Sequence, residues 1–345
     1  KGGRLSVATL ISIMKTENVA QLIERIASQL NATTYIEPIY KKFGIIFFSN
    51  GRRLFFKDRQ ININTASSVS VTTNKFETSN FLSHFGYNVP TGRTFSNHPY
   101  DIKHNRSVED GIVFAKELGF PVILKPNNKS QGVLVCKVGN EEEFRDIAAK
   151  ILRNRNDALL VEKFYGGYSD YRIVVLGERV ISAYQRIPLT VTGNGRQNIL
   201  ELLKDKQAYY KIIGRESKEI DIDDFRIKMH LQGNNMDLNY IPFTNEQVTL
   251  LDNANLSSGG TTLELTEKIA KEYCQLAVSV AHDMNLKLCG IDILTHDIKV
   301  WSEDHIILEV NSAPGLDNYA YTGEKQKEYV DELYLQILKY FETSF

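Results

Sequence analysis

CGIDILT (289–295) and, after a polar connection, HIILEVNSAPG (305–315) are the two runs on which the reading of this chain turns. Both are β-rich and apolar, and both carry acidic residues where an ordinary buried strand has none. Side chains alternate between the faces of a strand, so Ile306, Leu308 and Val310 are expected on one face and Glu309 and Asn311 on the other. The same rule separates Asp292 from Ile291 and Ile293. If the two strands pair, three oxygen-bearing side chains converge. Two carboxylates about 4 Å apart repel by roughly 4 kcal/mol at an effective dielectric near 20, and a bound divalent cation reverses that cost. Asp292, Glu309 and Asn311 are therefore candidate metal ligands. Magnesium, which favours oxygen donors and shares its shell with phosphates, is the natural occupant. The alternative is a pair of edge-strand carboxylates facing water.

Three segments upstream weigh toward a phosphate site. FPVILKP (120–126) ends an apolar strand on Lys125, where a cation is wasted unless it meets an anion. NNKSQGV (127–133) follows as a short polar turn whose Gly132 lets backbone N–H groups face phosphate oxygens. LVEKFYGG (160–167) places Glu162 and Lys163 beside Phe164 and Tyr165, the mixture an adenine-binding connection between lobes requires.

The bulk properties are those of a folded enzyme. The 345 residues are 42% apolar, and 41 basic residues nearly cancel 42 acidic ones. No long run of Lys and Arg offers a footprint for nucleic acid. No apolar stretch approaches the roughly 20 residues needed to span a bilayer, and the opening KGGRLSVATL lacks the apolar core of a signal peptide. No membrane and no nucleic acid is expected, and the cytoplasm is the expected compartment. Cys136, Cys274 and Cys289 lack CxxC spacing, and the seven histidines form no HxxxH pair, so any metal is expected on oxygen.

Periodicity divides the chain into blocks. Residues 1–70 read as a small N-terminal α/β block, with an amphipathic helix near 17–30, strands at 44–51 and 53–58, and a hairpin turn at Asn50-Gly51. Residues 108–164 read as a small α+β lobe with strands at 121–125, 133–138 and 158–164. Its last helix opens on a capping box of Asn140 and Glu143. Residues 165–345 form a larger lobe with strands at 172–177 and 179–187, a helix near 266–285 and a closing helix near 326–341. The class is α/β, built of α+β lobes.

The order of these pieces resembles the ATP-grasp carboxylate–amine ligases, and is most similar to the ATP-grasp domains of cyanophycin synthetase and the bifunctional bacterial glutathione synthetase. The resemblance runs from ININTASSVSVTTNK (61–75) to NSAPGLDNYAYTG (311–323) and includes QRIPLTVTGNGRQNILELL (185–203) and NANLSSGGTT (253–262). It implies an ATP-grasp domain over 71–345, with ATP held between a lid lobe at 108–164 and a catalytic lobe at 165–345. It implies that Lys75 and Lys125 hold the ATP phosphates, that Glu162, Lys163, Phe164 and Tyr165 form the adenine hinge, and that Asp170 meets the ribose. Asp292, Glu309 and Asn311 coincide with the family's magnesium ligands. Arg172 and Arg186 match basic positions near phosphates and substrate, where with Lys125 they serve catalysis. Asn255, Ser257, Gly259 and Gly260 match the loop that closes that side of the site.

The implied cofactors are ATP and Mg2+. The implied reaction activates a carboxylate as an acyl phosphate and joins it to an amine, the partners being small-molecule carboxylate and amine substrates, amino acids or a short peptide. A homodimer is the implied assembly. NNKSQGV is poorer in Gly than its counterpart in cyanophycin synthetase. Leu250, Leu251 and Asp252 stand where a basic residue usually precedes Asn-Leu-Ser, and 204–247 matches poorly. Two other readings stay open: an ATP-binding sensor or partner-recruiting module without catalysis, and a ligase whose acceptor is a thiol or hydroxyl.

Overall fold

The computed structural model describes residues 18–154, 156–213, 215 and 220–344. The opening KGGRLSVATL and residue 17 of the first expected helix lie outside them. The chain forms two compact units, each discontinuous in sequence. One comprises 1–63, 190–250 and 315–345; the other comprises 64–189 and 251–314. The blocks expected from the sequence, 1–70, 108–164 and 165–345, are not these units, because 190–250 and 315–345 cluster with the N-terminal block.

In the first unit the helix Val19–Ser28 opens on a capping box in which Asn18 accepts from the Gln21 N–H and the Gln21 side chain accepts from the Asn18 N–H. A four-stranded antiparallel sheet follows, ordered Thr33–Ile36, Phe43–Phe47, Arg53–Lys57, Gln60–Ile61. Between its second and third strands only Gly51 takes a left-handed backbone, with φ of 86°. Asn50 instead accepts from the Arg52 N–H, so the turn is wider than the two-residue hairpin expected. The closing helix Glu324–Ser344 is tied to this region, since Arg25 pairs with both oxygens of Asp331 at 2.8 and 2.9 Å.

The second unit is built on two antiparallel sheets. The smaller sheet, expected as the lid lobe, runs Gly92–Phe95, Leu159–Lys163, Val122–Pro126, Cys136–Val138. It begins earlier than 108, and its last strand is shorter than 133–138. Gln131, Gly132 and Leu134 all take φ near +60°, a conformation no strand contains, so pairing starts only at Cys136. The helix Glu141–Ile151 is capped by Asn140, but Glu143 reaches the N–H of Gly139 rather than that of Asn140.

The central sheet runs Thr261–Glu264, Arg179–Ile187, Ser169–Leu176, Leu288–Thr295, Ile306–Asn311. One face carries Tyr171, Ile173, Val175, Ile291 and Ile293 into a core filled by Tyr273, Ala277, Val280 and Met284 of the helix 266–285 expected from periodicity. That helix spans Lys271–Asp283, so Ile269 packs ahead of it. Burying one such aliphatic side chain contributes about 1.5–3 kcal/mol, which fixes which face of each strand is left for chemistry.

Candidate active site

The opposite face of the central sheet is polar, and the registers explain how. Arg172 lies opposite Asp292 on one neighbouring strand and opposite Tyr184 on the other, and Asp292 lies opposite Glu309. Two residues along, Asp170 lies opposite Arg186. A period of two thus puts Asp170, Arg172, Arg186, Asp292 and Glu309 on one surface.

One part of the expected alternation fails. The register shifts between Asp292 and Ile293, so that Ile293 pairs with Ile307. Ile307 and Val310 therefore enter the core, while Leu308 joins Glu309 on the polar face and lines the cavity there. The bulge corrects the grouping of Ile306, Leu308 and Val310.

Asp292 is fully buried and receives three guanidinium hydrogen bonds. Arg172 donates from Nε and Nη2 at 2.6 and 2.7 Å, and Arg186 donates from Nη2 at 2.7 Å. Arg186 also grips Asp170 through two bonds of 2.8 and 2.9 Å. Burial pushes the Asp292 carboxyl up, to about 6, and Glu309 adds to this while Arg172 and Arg186 oppose it. Three charged donors, two from Arg172 and one from Arg186, favour the carboxylate form of Asp292. Burial works to lower the Arg172 and Arg186 guanidinium values, but the carboxylates overcome it and both are raised.

Glu309 behaves differently. Burial works to raise its carboxyl, yet the Lys75 ammonium, with hydrogen bonds from neighbouring side chains, holds it well below the usual carboxylate range. Lys75 Nζ stands 3.5 Å from Glu309 Oε2 and donates to the Lys129 carbonyl at 2.7 Å. Asn311 donates to Glu309 Oε1 at 3.0 Å.

A cavity of about 340 Å³ opens between the two sheets of this unit. On the side of the smaller sheet Lys125 and Glu162, both buried, pair at 2.7 Å. The loop after Lys125 is pinned at its start: the Asn127 side chain accepts from the Phe76 N–H and donates to Asn74, the cap of the helix that begins with Lys75. The tip of the loop rests on the segment 255–257, where Ser257 donates to the Gln131 carbonyl at 3.0 Å. A Cβ on Gly132 would come within 2.7 Å of the Asn255 side chain, so the left-handed Gly132 is required by both backbone and space. At the connection between the sheets the Lys163 N–H donates to the Thr91 carbonyl, and the Lys163 ammonium lies 5.6 Å from the centre of the Tyr165 ring.

Of the residues expected to form the site, Lys75, Lys125, Gly132, Glu162, Lys163, Phe164, Tyr165, Asp170, Arg186, Asn255, Asp292 and Glu309 line this cavity. Arg172, Ser257, Gly259, Gly260 and Asn311 do not. Arg172 donates to Asp292, which does line the cavity, and a Cβ on Gly260 would meet the Ile187 carbonyl at 2.8 Å, a close approach that only glycine allows. Lys137 escaped the sequence reading. It lines the cavity, with Nζ 4.7 Å from the centre of the Phe164 ring and 3.9 Å from Asp252. Its alternation with buried Cys136 and Val138 was the available signal.

The donors fit a magnesium ion in kind. Glu309 and Asn311 are adjacent hard-oxygen side chains on the rim strand, whereas both oxygens of Asp292 are already engaged by arginine.

Two lysines, Lys75 and Lys125, thus line one cavity with Asp170, Asp292 and Glu309, between two antiparallel sheets. The RimK-like ATP-grasp domain matches residues 72–235 and 251–329, and the chain belongs to that family. The glutathione biosynthesis bifunctional protein GshAB of Clostridium perfringens is 26% identical over 296 residues, covering 82% of this chain and 36% of that protein. Cyanophycin synthetase of Synechocystis sp. is 32% identical over 257 residues, covering 72% of this chain and 28% of that protein. The chain thus spans roughly a third of the length of these curated relatives. Among solved structures, a bifunctional glutathione synthetase from Pasteurella multocida superposes with a TM-score of 0.58 at 21% identity, over 94% of this chain and 44% of that one, and shares the fold. Among the described residues no helix is long and apolar enough to cross a membrane.

Proposed function

We propose that the chain is an ATP-dependent carboxylate–amine ligase that forms an amide or peptide bond through an acyl phosphate, acting on amino acids or a short peptide. The observation that carries this reading is the cavity itself, with Lys75 and Lys125 set against Glu309 and Arg186 around one space. ATP binds there, with Phe164 and Tyr165 against adenine and Lys125 and the Gly132 loop against phosphate oxygens. Glu309 and Asn311 would hold magnesium, joined by Asp292 only if it gave up part of its arginine pairing. Bound there, the ion neutralises charge on the transferring phosphoryl group.

The substrate carboxylate oxygen attacks the γ-phosphorus and ADP leaves. The amine then attacks the acyl carbon and inorganic phosphate leaves. Lys125 and Arg186 contribute by position and charge, since phosphoryl transfer needs little covalent help. The loop 127–133, resting on Ser257, excludes water from the acyl phosphate.

The chain is further read as a cytoplasmic homodimer. That compartment suits Cys136, Cys274 and Cys289, none of which is in a disulfide. The test is ADP and phosphate release from Mg-ATP with pools of amino acids and dipeptides, with mass spectrometry of the products. Substrate-dependent ADP with a condensation product is expected. ATP binding without turnover in any pool refutes the ligase. Glu309→Gln should lower turnover at least a hundredfold while the circular dichroism spectrum is unchanged, and retained activity overturns the metal assignment.

A further inference from the structure

Three anions and three cations of the protein's own meet on the polar face of the central sheet. Asp170, Asp292 and Glu309 are matched by Arg172, Arg186 and Lys75. A site already balanced in this way offers little attraction to a free divalent cation, although its oxygen donors suit one.

The three cations are not held alike. Arg172 and Arg186 are locked by paired bonds of 2.6–2.9 Å between neighbouring strands. Lys75 is a point charge on a flexible stem, 3.5 Å from Glu309. Its other contact is the carbonyl of Lys129, in the loop that borders the cavity. Lys75 is therefore the cation most easily drawn away by a stronger anion entering that space.

We propose that Lys75 is the internal counter-ion of Glu309, occupying the place of a divalent cation until a nucleotide phosphate withdraws it, so that metal binds only together with nucleotide. The inference rests on the reading of Glu309 as a metal ligand. Nucleotide and metal then raise each other's affinity, because each relieves the same ammonium–carboxylate contact. Removing the Lys75 charge should uncouple them and leave the carboxylates short of one cation.

The test is Mn2+ binding, read from the loss of the free-ion paramagnetic resonance signal, with and without a non-hydrolysable ATP analogue. With the Mn2+ held by free analogue measured separately and subtracted, wild type should bind Mn2+ at least tenfold more weakly without the analogue than with it. Lys75→Met should bind Mn2+ alone at least tenfold more tightly than wild type, and Lys75→Arg should keep the wild-type pattern. Equal Mn2+ affinity of the wild type with and without the analogue overturns the inference without needing any variant to fold. So does a folded Lys75→Met that gains nothing. Glu309→Gln separates this from the parent reading: if it binds Mn2+ with the analogue as well as wild type does, Glu309 is not a ligand and the metal assignment itself falls.

Discussion

Replacing Asp292 by Asn removes the charge that two buried guanidinium groups share. Arg172 and Arg186 are each less than a tenth exposed, and Asp292 is not exposed at all. Asn keeps one acceptor oxygen but turns an N–H2 group toward donors, so at least one of the three bonds of 2.6–2.7 Å is lost and Arg172 and Arg186 face each other with only Asp170 and Glu309 to offset them. Removing one partner of a buried ion pair costs about 3–5 kcal/mol. In a unit of this size, a loss of about 3–5 kcal/mol lowers the melting temperature by roughly 6–20 °C.

Trp301, the single tryptophan, makes the measurement local. It packs against the same core as the central sheet, with ring centres 4.8 Å from Tyr273 and 5.0 Å from His305. Its fluorescence during thermal or denaturant unfolding therefore reports the unit that holds Asp292. A loss below about 1 kcal/mol would refute the argument, since it would mean that the cluster is solvated enough to tolerate loss of the carboxylate the two arginines share.

Lys125→Met should weaken nucleotide binding at least tenfold in calorimetry and also destabilise the fold, because Glu162 is left buried without its partner at 2.7 Å. Adding Glu162→Gln should restore stability but not affinity. Gly132→Ala should cost about 1–2 kcal/mol from its left-handed backbone, measured by chemical denaturation, and adding Asn255→Ala should relieve the steric part only. Tyr87→Phe removes the 2.7 Å hydrogen bond from the Tyr87 hydroxyl that, more than any other cause, holds the Asp283 carboxyl below its ordinary value. A depressed acid contributes stability above its unfolded value and loses it as pH falls. The variant should therefore be about 1–2 kcal/mol less stable at pH 7, with the gap closing below about pH 4 in denaturation curves.

Much of the site was legible because it depends on a period of two. Asp292 and Glu309 could be assigned to a polar face from Ile291, Ile293 and Val310 alone, and the registers agree. The exchange of Ile307 for Leu308 was not legible, because a bulge is an event between two strands and neither strand's pattern records it. The arginine pairing of Asp292 was hidden for a similar reason. Arg172 and Arg186 could be named from a resemblance, but only the register shows that they claim the carboxylate first. The capping of Glu141–Ile151 by Asn140 was readable because it is local, whereas the grouping of 190–250 with the N-terminal sheet has no local signal at all.

The closing helix reaches back across most of the chain to complete the first unit. Arg52 donates to the carbonyls of Phe341 and Glu342, a separation of 289 and 290 positions. Ribosomes add about 5–20 residues per second, so the turn at Arg52 waits roughly 15–60 s for the helix end it binds. During that interval Phe48, whose ring centre lies 6.0 Å from that of Phe341, lacks part of its final environment, and transiently exposed apolar surface of this kind favours aggregation. Synonymous changes that slow translation between Arg52 and Phe341 should therefore reduce the soluble yield without altering a single residue.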